Sequence, residues 1–171
     1  MRTLLITGAL AVVATSGLIG LGGTAQAATT EPTVTHERGV VIACGGTWRG
    51  KDVYAEVYEN SVFGNHVQVV IEDGQYAGSR SPRRSIVTGD KVRARVRVGG
   101  KPAVVKGLAR LDGTRTRVHE VLEDAGQTVA SRGIHRGLDT SLALHWRGHA
   151  ANLDCADAFR YRLTVTKTPI E

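Results

Sequence analysis

Strict alternation of apolar and charged residues is the feature that most constrains this chain. From Lys91 to Val98, Val92, Ala94, Val96 and Val98 hold every second position, and Lys91, Arg93, Arg95 and Arg97 hold the others. A backbone that repeats every two residues puts these sets on opposite faces, so the segment reads as a half-buried strand. Phe159, Tyr161, Leu163 and Val165 alternate in the same way with Arg160, Arg162, Thr164 and Thr166. Leu142, Leu144 and Trp146 alternate with Ser141, Ala143, His145 and Arg147. Val53, Ala55 and Val57, then Val67, Val69 and Ile71, supply two further strands. No segment keeps a 3.6-residue apolar period, and Ala150 to Ala158 is the single weak helical candidate.

Turn residues separate these runs: Asp73-Gly74, Gly89-Asp90, Gly99-Gly100, Asp112-Gly113 and Asp124-Ala125-Gly126. Gly, Asn and Asp tolerate positive φ, so each pair suits a tight turn. About eight to ten strands joined by short hairpins make an antiparallel meander. Such a meander hides its edges by closing into a small or flattened barrel, the preferred fold, or by splitting into a β-sandwich, the alternative. The expected class is therefore all-β.

The start of the chain reads as an address. Arg2 is followed by an uncharged stretch from Leu4 to Leu21, then by Ala25-Gln26-Ala27. This is the pattern of a secretory signal peptide over residues 1–27. Cleavage after Ala27 takes 27 of the 171 residues and leaves 144. Residues 28–37 are threonine-rich and read as a flexible leader, and residues 38–171 as a single all-β domain. Val41-Ile42-Ala43-Cys44 resembles a lipoprotein processing box, but Glu31, Glu37 and Arg38 separate it from the apolar stretch, so the run reads as a buried strand ending at a structural cysteine. Arginine outnumbers lysine 17 to 5, which points to a GC-rich bacterial genome.

An exported chain with two cysteines is expected to join them, here Cys44 with Cys155. The composition is ordinary for a globular protein, with 42% hydrophobic and 22% charged residues. Charge is nevertheless segregated. Twelve basic residues lie between Arg80 and Arg117 against only Asp90 and Asp112, a net of +10. The rest of the mature chain carries nine basic and fourteen acidic residues, a net of −5. Like charges on one strand face repel, so Arg93, Arg95 and Arg97 require counter-charges from neighbouring strands or from an external anion.

Other chemistry finds weaker footing. His145 and His149 would lie about 13 Å apart on a strand, too far to share one metal. No nucleophile motif is present. Glu56 and Glu120 are the candidate carboxylate pair for a hydrolase. The segment Gly78 to Ser85 is an exposed loop from which Arg80 or Arg83 would act as protease-inhibitor bait. Gly46-Thr47-Trp48 resembles the Gly-x-Trp signature of lipocalin-like barrels, a resemblance of three residues from which no ligand residue is carried over.

The expectation is a secreted, monomeric, non-catalytic β-domain with no cofactor and no metal. It would bind an anionic polymer or acidic protein through Arg80, Arg83, Arg84, Arg93, Arg95 and Arg97. The alternative is a small-molecule-binding barrel with Trp48, Tyr54 and Tyr58 in its pocket. A hydrolase or a protease inhibitor is less favoured.

Overall fold

The computed structural model describes residues 31–170; the expected signal peptide lies outside them. The described chain is all-β, with nine strands: β1 (Thr33–Trp48), β2 (Lys51–Asn60), β3 (Gly64–Ile71), β4 (Tyr76–Arg80), β5 (Val87–Thr88), β6 (Lys91–Val98), β7 (Lys101–Asp124), β8 (Gln127–Trp146) and β9 (His149–Pro169). They form one antiparallel sheet in the order β4-β3-β2-β1-β9-β8-β7-β6-β5. The sheet curls into a half-barrel, and its flanks meet where Gly99 N–H donates to the Ala77 carbonyl at 3.3 Å. The alternation in β6 is realised residue for residue, with Val92, Ala94, Val96 and Val98 buried and the charged set exposed.

Three expectations along the chain are corrected. β1 starts at Thr33, so Thr33 to Glu37 is not leader but strand, paired with β9 from Thr33 opposite Lys167. β-branched Thr33, Val34 and Thr35 suit a pleated backbone although they look polar as a group. β1 also runs on through Cys44 to Trp48 rather than ending at the cysteine. Ala150 to Ala158 is not helical but part of β9, where an irregular register between Ala43 and Cys44 of β1 leaves an extra β9 residue at Ala156.

Most of the punctuation marks turns. Arg49-Gly50, Gly99-Gly100, Ala125-Gly126 and Arg147-Gly148 each join two strands with both residues at positive φ, between 47° and 78°. That geometry matches the right-handed twist of the flanking strands. Asp112-Gly113 is the exception. It is not a turn but a bulge inside β7, where the register with β8 shifts between Leu111 and Arg115. Gly137 of β8 makes room there, since a Cβ on it would meet Thr114 Oγ1 at 2.1 Å.

The core fills the curl. Ile42, Val57, Val67, Val69, Ile71, Val98, Val105, Leu144 and Trp146 are fully buried. Trp146 stacks in tilted contact with Trp48 at 4.6 Å and Tyr76 at 5.2 Å, closing one end of the barrel beneath the hairpin turns. The first and last strands are zipped together from Thr33–Lys167 to Gly46–Leu153. Cys44 and Cys155 face each other in this ladder and are disulfide-bonded.

Beyond the bulges β7, β8, β9 and the start of β1 continue as a four-stranded arm past the end of the barrel. Gly39 sits where this arm joins. A Cβ there would fall 1.8 Å from the Glu59 carbonyl and 2.6 Å from the Tyr161 hydroxyl. That hydroxyl donates to the Glu59 carbonyl at 3.0 Å across the glycine.

Two stability outcomes follow. Reduction, or Cys44→Ser with Cys155→Ser, should lower the urea midpoint by an amount worth about 2–5 kcal/mol while leaving the β-sheet circular dichroism intact, because the β1–β9 ladder remains. Gly39→Ala should cost about 1–3 kcal/mol by overpacking, read from the same denaturation curve.

Candidate functional site

At the end of the barrel opposite Trp146, under the arm, lies a cleft of about 790 Å³. Arg38, Arg115, Arg136, Arg160 and Arg162 line it, and Glu59 is the one carboxylate among its lining residues. The sheet register explains the convergence. Arg115 on β7 is opposite Arg136 on β8, which is opposite Arg160 on β9. One step along the arm, Arg117 is opposite Ile134, Ile134 opposite Arg162, and Arg162 opposite Arg38 of β1. The next row sets His119, Arg132, Thr164 and His36 side by side. Cross-strand partners point to the same face, so seven arginines share one side of the arm, and those directly opposite on neighbouring strands are about 4.8 Å apart.

Almost none of this charge is neutralised within the molecule. Among the described residues the ion pairs are Lys51–Glu72 and Arg110–Asp90, neither of them in the cleft. Glu59 is already engaged: its Oε1 accepts from Ser85 Oγ at 2.7 Å, Val87 N–H at 2.9 Å and the Ile86 N–H. Asn65, also in the lining, donates to the carbonyls of Pro82 and Arg84. These two residues fasten the 81–86 connection beside the cleft. Arg160 is partly structural, because its Nη2 donates to the Gly89 carbonyl at 2.5 Å and its Nε is buried without a partner. Arg38, Arg115, Arg136 and Arg162 are exposed, with guanidiniums available for bidentate contact with oxyanions.

The basic segment from Arg80 to Arg117 does not make one patch. Arg93, Arg95 and Arg97 stand on the outer wall of the barrel with Lys91, and of these Lys91 and Arg93 border a shallow groove with Lys106 and His145. Arg80 ends β4, and Arg83 and Arg84 lie on the loop that Asn65 holds. Only Arg115 and Arg117 from that segment join the arm. The other contributors, Arg38, Arg132, Arg136, Arg160 and Arg162, are scattered in sequence, and only the strand register unites them.

The remaining candidates separate. Trp48 is inside the barrel against Trp146. Tyr54 and Tyr58 alternate with buried Val53, Ala55 and Val57 and so lie on the outer face, which does not bring the three aromatics together. The Tyr54 hydroxyl is pushed up to about 12 by partial burial and by the neighbouring Glu56 carboxylate, to which it donates at 3.2 Å. Glu56 is opposite Ala43, whereas the Glu120 row reaches β1 at Thr35. Eight residues of strand put them roughly 26 Å apart along β1, beyond the spacing of a glycosidase pair. His149 stands edge-on to Trp48 at 6.1 Å, away from His145 on the outer wall.

The opposite face of the arm carries a compact polar and aromatic cluster. Glu37 is buried and accepts from Asn60 Nδ2 at 2.7 Å and Thr35 Oγ1 at 3.1 Å. Asn60 also caps the β2–β3 turn through Val62 and Phe63 N–H. His135 stacks on Phe159 at 4.1 Å, and its desolvation pulls its pKa below the usual 6.5 against the opposing pull of Glu120. Folded His135 therefore resists a proton that the unfolded chain accepts, and stability should fall as pH drops below about 6.5. His135→Phe should flatten that part of the pH–stability curve relative to the parent, measured by denaturation between pH 5 and 8. No protein-family model, curated protein or solved structure matches this chain.

Proposed function

We propose that this is a secreted, non-catalytic domain that binds a multivalent anion, an anionic polymer or the acidic surface of a protein, in the arginine cleft beneath its arm. The observation that carries this reading is the convergence of Arg38, Arg115, Arg136, Arg160 and Arg162 from four strands on one cleft whose only carboxylate among the described residues is committed elsewhere. Side-by-side guanidiniums repel one another, and a ligand rich in phosphate, sulfate or carboxylate groups relieves that repulsion while satisfying their donors. The outer-wall arginines Arg93, Arg95 and Arg97 add long-range attraction rather than a second enclosed site. The disulfide suits an oxidising compartment, and among the described residues no helix is long and apolar enough to cross a membrane.

Titration with inorganic polyphosphate tests the site. Affinity should fall roughly a hundredfold between 50 and 200 mM salt if about five phosphates are contacted. Arg136→Gln with Arg162→Gln should weaken binding at low salt and reduce the slope of log affinity against log salt by about one for each contact removed. Arg160 is left intact because it also anchors the β5–β6 turn. Substituting Arg93, Arg95 and Arg97 by Gln should have the smaller effect. Binding lost in the outer-wall variant and untouched in the cleft variant would move the site to the wall, and binding indifferent to salt would defeat the reading altogether.

A further inference from the structure

β7 has a partner on both sides only where it lies in the barrel. It pairs with β6 from Lys101 to Leu108 and with β8 as far as Asp124. From Leu111 to Asp124, therefore, one whole edge of the arm has no strand partner among the described residues and presents its backbone donors and acceptors. An edge of that length invites another strand unless proline, a bulge, shortness or charge without a complementary partner blunts it. The Asp112–Thr114 bulge ends the edge at one side, but from Thr114 to Asp124 there is neither proline nor glycine. Val121 and Leu122, on opposite faces, are 62% and 50% exposed.

The charges along this edge point to its occupant. Arg115 and Arg117 occupy its first half and Glu120, Glu123 and Asp124 its second. A strand of this composition is complementary to itself when reversed. We propose that the free edge of β7 pairs antiparallel with the same edge of a second copy of this chain, making one continuous sheet from two arms. This departs from the monomer expected from sequence.

Symmetry fixes the register. Two identical edges joined in one sheet are related by a two-fold axis normal to it, and opposed residues must share a face. With the axis at His119, Arg115 is opposite the second copy's Glu123 and Arg117 opposite Val121. On the other face Thr116 is opposite Leu122 and Val118 opposite Glu120. Moving the axis to Glu120 sets two carboxylates against each other. Moving it to Val118 puts Arg115 opposite Val121 and Arg117 opposite His119, and leaves Glu123 facing the bulge without a basic partner. The His119 axis sets His119 opposite its own copy, and it alone pairs Arg115 with an acid, twice by symmetry.

The inference does not rest on the anion reading, although it puts both arginine faces on one side of the joined sheet. Sedimentation velocity of the disulfide-bonded chain between 1 and 100 μM tests it without any ligand. A concentration-dependent shift to twice the monomer mass is expected. Arg115→Glu and Glu123→Arg should each weaken self-association at least tenfold, and the two together should restore it, because they exchange the partners of the same pair. Circular dichroism of each variant separates loss of pairing from loss of fold, and the second single substitution stands if the first fails to fold. A chain that stays monomeric throughout, a dimer unmoved by either substitution, or a double variant that is not restored would each overturn the inference.

Discussion

The ladder between the first and last strands holds the rest of the sheet in place. β2, β3 and β4 attach to it through local hairpins on one side, and β8, β7, β6 and β5 on the other. Each flank is a meander of neighbouring strands, with short loop closures and modest entropic cost. The β1–β9 seam is different, because it joins residues more than a hundred positions apart, as the separation of 111 between Cys44 and Cys155 shows. Without it the two meanders would be open sheets with four edges between them. With it, the sheet is long enough to curl until β4 reaches the β6–β7 turn, where Gly78 lets the backbones approach. The disulfide sits inside this seam and restrains the unfolded chain at the contact that is entropically the most demanding.

Where the pleat is regular, the fold was legible. β6 alternates without interruption, and its faces are those the residues predict. The failures fall where the backbone departs from the pleat. Asp112-Gly113 suits a tight turn and a bulge equally, because both require positive φ or a local kink, and nothing in the residues distinguishes a strand that reverses from one that bends. Ala150 to Ala158 lacked alternation because the extra residue at Ala156 breaks the phase of β9. Ala151 and Leu153 face the core before it, whereas Ala158, Arg160 and Arg162 share the face of Ile42, Val40 and Arg38 after it.

That phase change also hid the candidate site. Arg160 and Arg162 look like the solvent side of an ordinary amphipathic strand, and they are exposed or half-buried as such a reading requires. What sequence cannot supply is which side of the sheet that is. After the bulge they lie on the side continuous with the barrel interior, level with Arg136 and Arg115 on one flank and Arg38 on the other. The dense basic run from Arg80 to Arg117 instead places Arg93, Arg95 and Arg97 on the outer wall. Density along a chain becomes density in space only along one strand, and there the guanidiniums spread at every second residue. Register across strands gathers single arginines more closely, about 4.8 Å apart rather than 6.6 Å.

The arm shows why such a face can exist at all. Inside the barrel, positions on this side face an opposing wall and must be apolar, as Ile42, Val105 and Leu144 are. Past the bulges the opposing wall falls away among the described residues, leaving the cleft edged by Glu59, Ser61 and Asn65, and the same side of β1, β7, β8 and β9 opens to water. Burial no longer selects the residues there, and neutral polar side chains would satisfy an exposed sheet with less repulsion. Apart from Arg160, which anchors the β5–β6 turn, the arginines of this face have no ion pair among the described residues and are not explained by what the fold needs. Their repulsion is a cost to the isolated molecule, and an anion bridging adjacent rows would convert it into binding energy, because the guanidiniums are already held in place by the register before the ligand arrives.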